Sequence, residues 1–358
     1  MPFVDVSEIG AGGGSIVSID RMGQVSVGPQ SAGAYPGPVA YGFGGTRATL
    51  TDAFLALGYI NDVALAGGSL PLQADASRTA LNDQVAKPLG IDLVQTARGV
   101  LTLAVTTMTR AVKAVSTYRG RDPRLSTLVA FGGNGPVVAV EVAKALGIRR
   151  VLIPRAAGVF SALGLLRSDI EQEFVRPSHR RAGEMDDRAI AEMFDAFLVD
   201  AKRILVAEGY DLTNVEFRRS ADLHYVGQAY ELTIPAERPV FADLAEAFHR
   251  EHERTYGHRS LKDQVHLVNA RLTARIPVAS RHHHFAADLP VSRRDRTVAF
   301  CSTRAASSVA VIGRSDLDEN FRKGPFVVEE YDCTCVVGPE QTARLDDVGN
   351  IEIALEAA

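Results

Sequence analysis

Apolar positions recur along this 358-residue chain with two periods, and the periods sort it into elements. Ser15–Ile19 and Gln24–Val27 alternate around Asp20-Arg21-Met22-Gly23 and read as a β-hairpin. Thr49-Leu50-Thr51-Asp52 opens a helix carrying Phe54, Leu55 and Leu57, with Thr51 or Asp52 near its first turn. Asp75 is placed to cap a second helix, which Pro88 and Gly90 end near Lys87. From Asp92 to Tyr118, Val94, Ala97, Val100, Leu101, Ala104, Val105, Met108, Ala111, Val112 and Val115 keep helical spacing on two faces, as in a buried central helix. Ser126–Phe131, the turn Gly132-Gly133-Asn134-Gly135-Pro136, Val137–Leu146 and Arg150–Ile153 spell strand, glycine turn, helix, strand: a βαβ unit. Gly158–Leu166 reads as a short apolar helix.

The pattern changes near Ser168, where charged residues become frequent and glycine rare. Met185–Glu208 and Phe241–Tyr256 have the period of amphipathic helices. Val215–Tyr225, Ala229–Ile234 and Val265–Ile276 alternate as strands. Residues 279–296 lack a period and read as a loop. Beyond Thr297, short strands with turns at Gly324-Pro325, Gly338-Pro339 and Gly349-Asn350 suggest a small β-rich end. The expected boundary lies at about residue 168, giving domains 1–168 and 169–358.

Composition narrows the class. A chain 46% hydrophobic and 23% charged, without tryptophan, is globular and long enough for one large or two medium domains. A net charge of −4 argues against a nucleic-acid footprint, and the basic run from Arg176 to Arg181 reads as solvated surface. The three cysteines, Cys301, Cys333 and Cys335, are too few for a disulfide framework and fit a reducing compartment. No apolar run approaches the roughly 18 residues that cross a bilayer, and MPFVDVSEIG lacks the basic-then-apolar order of a signal peptide. The expected location is cytoplasmic, with no membrane partner.

Candidate chemistry concentrates in glycine. Eleven of the 31 glycines lie between Gly10 and Asp52, a density that serves tight turns or close approach of backbone N–H groups to a ligand. Gly10-Ala11-Gly12-Gly13-Gly14-Ser15 is either such a wall or a connector before the hairpin. The turn at Gly132, Gly133, Asn134 and Gly135 brings backbone donors to a helix N-terminus, which suits a phosphate or a nucleoside; the alternative is a tight connection without a ligand. Asp52 is either a helix cap or a carboxylate for a metal-bound water or a substrate amide. His249 and His252, three apart on one helix, are weak metal candidates against the commoner polar helix face, and His282-His283-His284 reads as surface. Neither a Gly-x-Ser-x-Gly elbow nor a Cys-x-x-Cys pair is present.

Jointly these segments resemble one family. GAGGGSI at Gly10–Ile16, VGPQSAGAYPGPVAYGFGG at Val27–Gly45, TLTDAFLALG at Thr49–Gly58, AFGGNGP at Ala130–Pro136, GVFSALGLL at Gly158–Leu166, YVGQAYEL at Tyr225–Leu232, FHREHERTYGH at Phe248–His258 and GPFVVEEYDCTCVVG at Gly324–Gly338 are similar, in order, to the hydantoinase A/5-oxoprolinase family. The resemblance implies part of an actin-like (ribonuclease-H-like) ATPase domain in 1–168 and an α+β domain in 169–358. It implies ATP and Mg2+ as cofactors, and ATP-driven opening of a small cyclic amide such as a hydantoin or 5-oxoproline. Related chains are ATP-using subunits of acetone or acetophenone carboxylases, and many members work in hetero-oligomers with a hydantoinase B-type subunit. Carried over by motif, Gly132, Gly133, Asn134 and Gly135 would line the adenosine side, Gly12, Gly13, Gly14 and Ser15 the interlobe cleft, and Asp52 would face substrate or metal. The family's two Asp-x-Gly-Gly-Thr-type phosphate loops have no counterpart here. The chain is therefore expected to be the C-terminal part of a longer enzyme, with weak ATPase activity alone, or a non-catalytic scaffold partner.

Overall fold

Residues 6–181, 186–277 and 294–355 are described by the computed structural model. They divide into two units: 6–165 with 294–355, and 166–277 without 182–185. The first break falls close to the expected 168. The second does not: the β-rich end belongs to the first unit, not to a C-terminal domain beginning at 169.

The reason is strand pairing. In the first unit a five-stranded sheet runs Arg322–Lys323, Gln341–Leu345, Ile351–Leu355, Arg150–Ile153, Leu128–Val129. Ile351 and Ile353, both wholly buried, pair antiparallel with Ile153 and Val151, so the chain's last strand completes the sheet of the βαβ unit. Leu128–Val129 and Arg150–Ile153 are parallel, as the βαβ reading requires. The helix between them spans Gly135–Leu146, closed by Gly147 in the left-handed conformation. Its Val137, Val138, Val140 and Val142 are buried. A second, four-stranded sheet runs Asp295–Val298, Ser307–Ile312, Phe326–Glu329, Thr334–Val337. Its first strand starts at Asp295, inside the stretch read as loop; His282–His284 lie outside the described residues.

Helices complete this unit's core. Leu93–Val115 is capped by Asp92, whose carboxylate accepts from the Gln95 N–H at 2.9 Å. It buries Ala97, Val100, Leu101, Ala104 and Val105. The helix from Ala74 passes through a wide turn at Asn82–Ala86 and continues to Leu89 before Gly90 ends it. It ends two residues beyond the expected Lys87, with Gly90 in the left-handed conformation as its cap and Pro88 following the wider turn.

The second unit is a four-stranded antiparallel sheet ordered Ile170–Arg181, Val265–Ile276, Glu216–Tyr225, Leu232–Pro235. Helices Asp187–Ala207 and Phe241–Tyr256 supply Ile190, Phe194, Leu244 and Phe248 to its apolar core. Other sheet positions carry polar side chains. There Asp222, 1% exposed, takes both oxygens to the Arg271 Nε at 2.7 Å and also accepts from Thr233 Oγ1 and Asn269 Nδ2.

Candidate functional site

The two glycine segments, about 120 residues apart in sequence, meet in the first unit. Gly13 is where they touch: a Cβ there would lie 2.1 Å from Asn134 Nδ2 and 2.8 Å from Thr51 Oγ1. Only glycine lets the Asn134 amide pack against this backbone. Thr51 also clamps the loop, since its N–H and its hydroxyl both donate to the Gly13 carbonyl, at 2.9 and 3.0 Å. Ser15 folds the loop on itself: its Oγ accepts from the Gly12 N–H at 2.9 Å and donates to the Gly10 carbonyl at 3.2 Å. At Gly14 a Cβ would fall 2.8 Å from Ser31 Oγ. Gly12 differs, because no atom lies within 4 Å of its Cβ position.

The 132–135 turn has the opposite character. Gly132 sits at φ +82° with open space at its Cβ position, and its N–H donates to the Ala157 carbonyl at 2.7 Å. A Cβ at Gly133 would meet only the Asp332 carbonyl, and one at Gly135 only the Ala130 carbon, each at 3.8 Å. Asn134 precedes the helix but makes no side-chain cap, its amide being turned toward Gly13. The first turn of the 135–146 helix thus keeps N–H groups with no side-chain acceptor, beside flat and unfilled backbone. That arrangement suits an anion or a nucleoside face. Phe131, exposed and 5.2 Å from the Phe160 ring, edges the turn. Asp332 borders it as well: its Oδ2 accepts from the Gly158 N–H at 2.9 Å. No sequence pattern near Asp332 signals this, because strand pairing in the C-terminal segment brings it there.

Asp52 does not line this surface. It is fully buried, and its carboxylate is spent on architecture: Oδ2 accepts from the Thr49 N–H and hydroxyl, both at 2.8 Å, and Oδ1 from the Ala40 N–H at 2.9 Å and the Ser77 hydroxyl at 2.6 Å. The capping alternative is the one the geometry displays, extended to hold the 28–47 loop and the helix at Ala74 in place. The expectation that Asp52 faces substrate or metal is corrected accordingly.

His249 and His252 also stand elsewhere than on a polar helix face. Both are buried on the inner side of Phe241–Tyr256. The Tyr225 hydroxyl meets His249 Nδ1 at 2.7 Å and accepts from the Ser260 N–H at 2.9 Å. His252 Nδ1 meets the His258 carbonyl at 2.8 Å and, since a carbonyl only accepts, must carry the proton. Among the described residues no three His, Cys, Asp or Glu side chains gather as a metal site. Cys335 is buried in the first unit, which pushes its thiol up to about 12 and keeps it a packing residue at neutral pH. No helix among the described residues is long and apolar enough to cross a membrane.

Comparison with known proteins bears on this geometry. Residues 1–174 match the Hydantoinase/oxoprolinase family model. The chain is 37% identical over 98% of its length to an uncharacterized protein of Methanocaldococcus jannaschii, covering 51% of that protein. It is 32% identical over 99% of its length to the caprolactamase subunit alpha of Pseudomonas jessenii, covering 53% of it. Among solved structures it superposes on nucleotide-free acetone carboxylase with a TM-score of 0.80 at 24% identity, over 98% of this chain and 52% of that one, a likeness of fold. The chain spans about half the length of the curated relatives it matches. On the ordered motifs and these matches, the chain belongs to the hydantoinase/oxoprolinase family.

Proposed function

We propose that this chain is a subunit or part of an ATP-dependent amidohydrolase that opens small cyclic amides of the hydantoin, 5-oxoproline or lactam type. The observation that carries the reading is the junction at Gly13 and Asn134, which sets an unfilled glycine turn and an uncapped helix N-terminus beside a second glycine loop. In this reading the first unit is the C-terminal part of an actin-like ATPase domain. Gly132, Gly133, Asn134 and Gly135 hold the adenosine side of ATP. Gly12 is the open position of the substrate-side wall, and Gly13, Gly14 and Ser15 shape that wall. Bound ATP would supply a phosphoryl group to the substrate's carbonyl oxygen, turning a poor leaving group into a good one.

What the chain itself contributes is binding and order. Backbone N–H groups at the helix start meet negative charge without a side chain's entropy cost. Asn134 ties that turn to the glycine wall, and Thr51 and Asp52 hold the wall from behind. The residues fit a nucleoside better than they fit Mg2+: Asp52 is consumed by four donors and, among the described residues, no other carboxylates gather, so no step here runs through the metal. A hydantoinase B-type partner and a cytoplasmic location belong to the same proposal; the subunit naming of the caprolactamase relative supports a partner chain.

The test is ATP turnover by this chain with a hydantoinase B-type partner. Stimulation by caprolactam, hydantoin or 5-oxoproline is expected. Stimulation only by bicarbonate with a ketone would replace the amidohydrolase by a carboxylase subunit, a reading supported by 30% identity to the acetophenone carboxylase gamma subunit of Aromatoleum aromaticum. Absence of ATP binding would leave a scaffold.

A further inference from the structure

A groove of about 490 Å³ lies in the first unit where the Leu93–Val115 and Gly135–Leu146 helices end. Lys113, Thr117, Arg121, Asp122, Arg124 and Leu146 are among the residues that line it. Its size is that of a small-molecule site. We infer that this groove binds a phosphate-bearing small molecule, separately from the glycine turn at 132–135.

Arg124 is fixed by Asp122, whose two oxygens accept from Nε at 3.0 and 3.1 Å and from Nη2 at 2.8 Å. The same carboxylate accepts from the Arg124 N–H at 2.9 Å, so the arginine is pinned at both ends of its side chain. That pair is neutral. Lys113 and Arg121 remain, and neither has a side-chain hydrogen bond or ion pair among the described residues. Cations at helix ends have a structural use, since each carbonyl terminus carries about half a negative charge. Two such ends take up about one of the two unpaired positive charges, which leaves about one with no counterpart in the groove. A hydroxyl at Thr117 beside an ammonium and a guanidinium is a donor set that matches phosphate oxygens. The volume exceeds that of phosphate itself and leaves room for an organic part.

The probe is inorganic phosphate, titrated into the whole chain at low ionic strength and followed by phosphorus NMR. Saturable binding that weakens with added salt is expected. Lys113→Ala and Arg121→Ala should each weaken it about tenfold, the loss of one charge-assisted contact. The double variant should bind no phosphate, while keeping its thermal midpoint and an ATP affinity within about twofold of wild type. Arg121→Lys, which retains the charge, should restore most of the binding. No phosphate binding by the wild-type chain, or binding unchanged in the double variant, would overturn the inference. A parallel loss of ATP affinity would overturn the separateness of the two sites.

Discussion

The two units solve the same folding problem with different materials. The first is built from backbone: glycine loops pass so close to their neighbours that a Cβ at Gly13 or Gly28 would sit 2.1 Å from another atom. Its sheet needs a strand from residues 351–355 to flank one from 150–153. The second unit is built from side chains. An apolar core covers part of its sheet, and a buried Asp222–Arg271 pair with Asn269 and Thr233 ties neighbouring strands. All its described pairings lie within residues 170–276. Close backbone contact leaves flat, donor-rich surface at Gly132–Gly135, where a ligand can rest. Around Asp222 the second unit's polar groups are paired among themselves.

That contrast can be broken in order of effect. Removing residues 294–358 should unfold the first unit outright while sparing the second. Amide exchange should then show protection lost across 93–115 and 135–146 and kept across 216–225 and 265–276. Protection retained in both would mean that the C-terminal strands are dispensable. Next, Asp52→Ala strips four donors of their acceptor in a buried setting and should cost about 3–5 kcal/mol, read as an early thermal transition of the first unit alone.

In the second unit, Asp222→Asn should cost about 2 kcal/mol at neutral pH by removing the more buried of the two carboxylates paired with Arg271, the other being Glu173 at 3.2 Å. Burial pushes the Asp222 carboxyl up, but Arg271, Thr233 and Asn269 outweigh it and hold the group below the usual carboxylate range. A depressed native value stabilises the fold above the unfolded group's ionisation, near pH 4, and that stability is lost as pH falls through the native value. Wild type and Asp222→Asn should therefore differ fully at pH 7 and converge as pH drops below about 4. A difference constant down to pH 2 would remove the ion pair from the account. The smallest effect is expected for Tyr225→Phe, which loses the hydroxyl shared by His249 and Ser260 and should cost about 1–2 kcal/mol in chemical denaturation.

Most of the second unit's elements are legible in the sequence; the strand Ile170–Arg181 is not, because its charged residues read as solvated surface. Phe241–Tyr256 and Val265–Ile276 fall where periodicity puts them, because local amphipathic period and burial agree there. The first unit's elements are legible as well, but not their partners. Residues 326–355 alternate as strands, yet alternation says only that one face is buried, not that Ile353 sits beside Val151. The same gap hid Asp332 next to Gly133 and Ser77 on Asp52. The burial of His249 and His252 is illegible for another reason: Phe248 and Tyr225 form an aromatic pocket that accepts them, and helical spacing does not reveal it. The glycine segments were legible as a candidate site. What the sequence does not distinguish is glycine required by a neighbour, as at Gly13, from glycine facing open space, as at Gly12 and Gly133.

That distinction makes the central claim testable. Gly133→Val adds a side chain where only the Asp332 carbonyl is near, at 3.8 Å, so the fold should survive with its thermal midpoint close to wild type. The valine would fill the flat face assigned to the nucleoside. Titration calorimetry with ATP is the direct measurement: the wild-type chain binds, and Gly133→Val binds at least about tenfold more weakly, a difference of about 1.4 kcal/mol. Equal affinity in a folded Gly133→Val variant, or no ATP binding by the wild-type chain, would contradict the assignment of this turn.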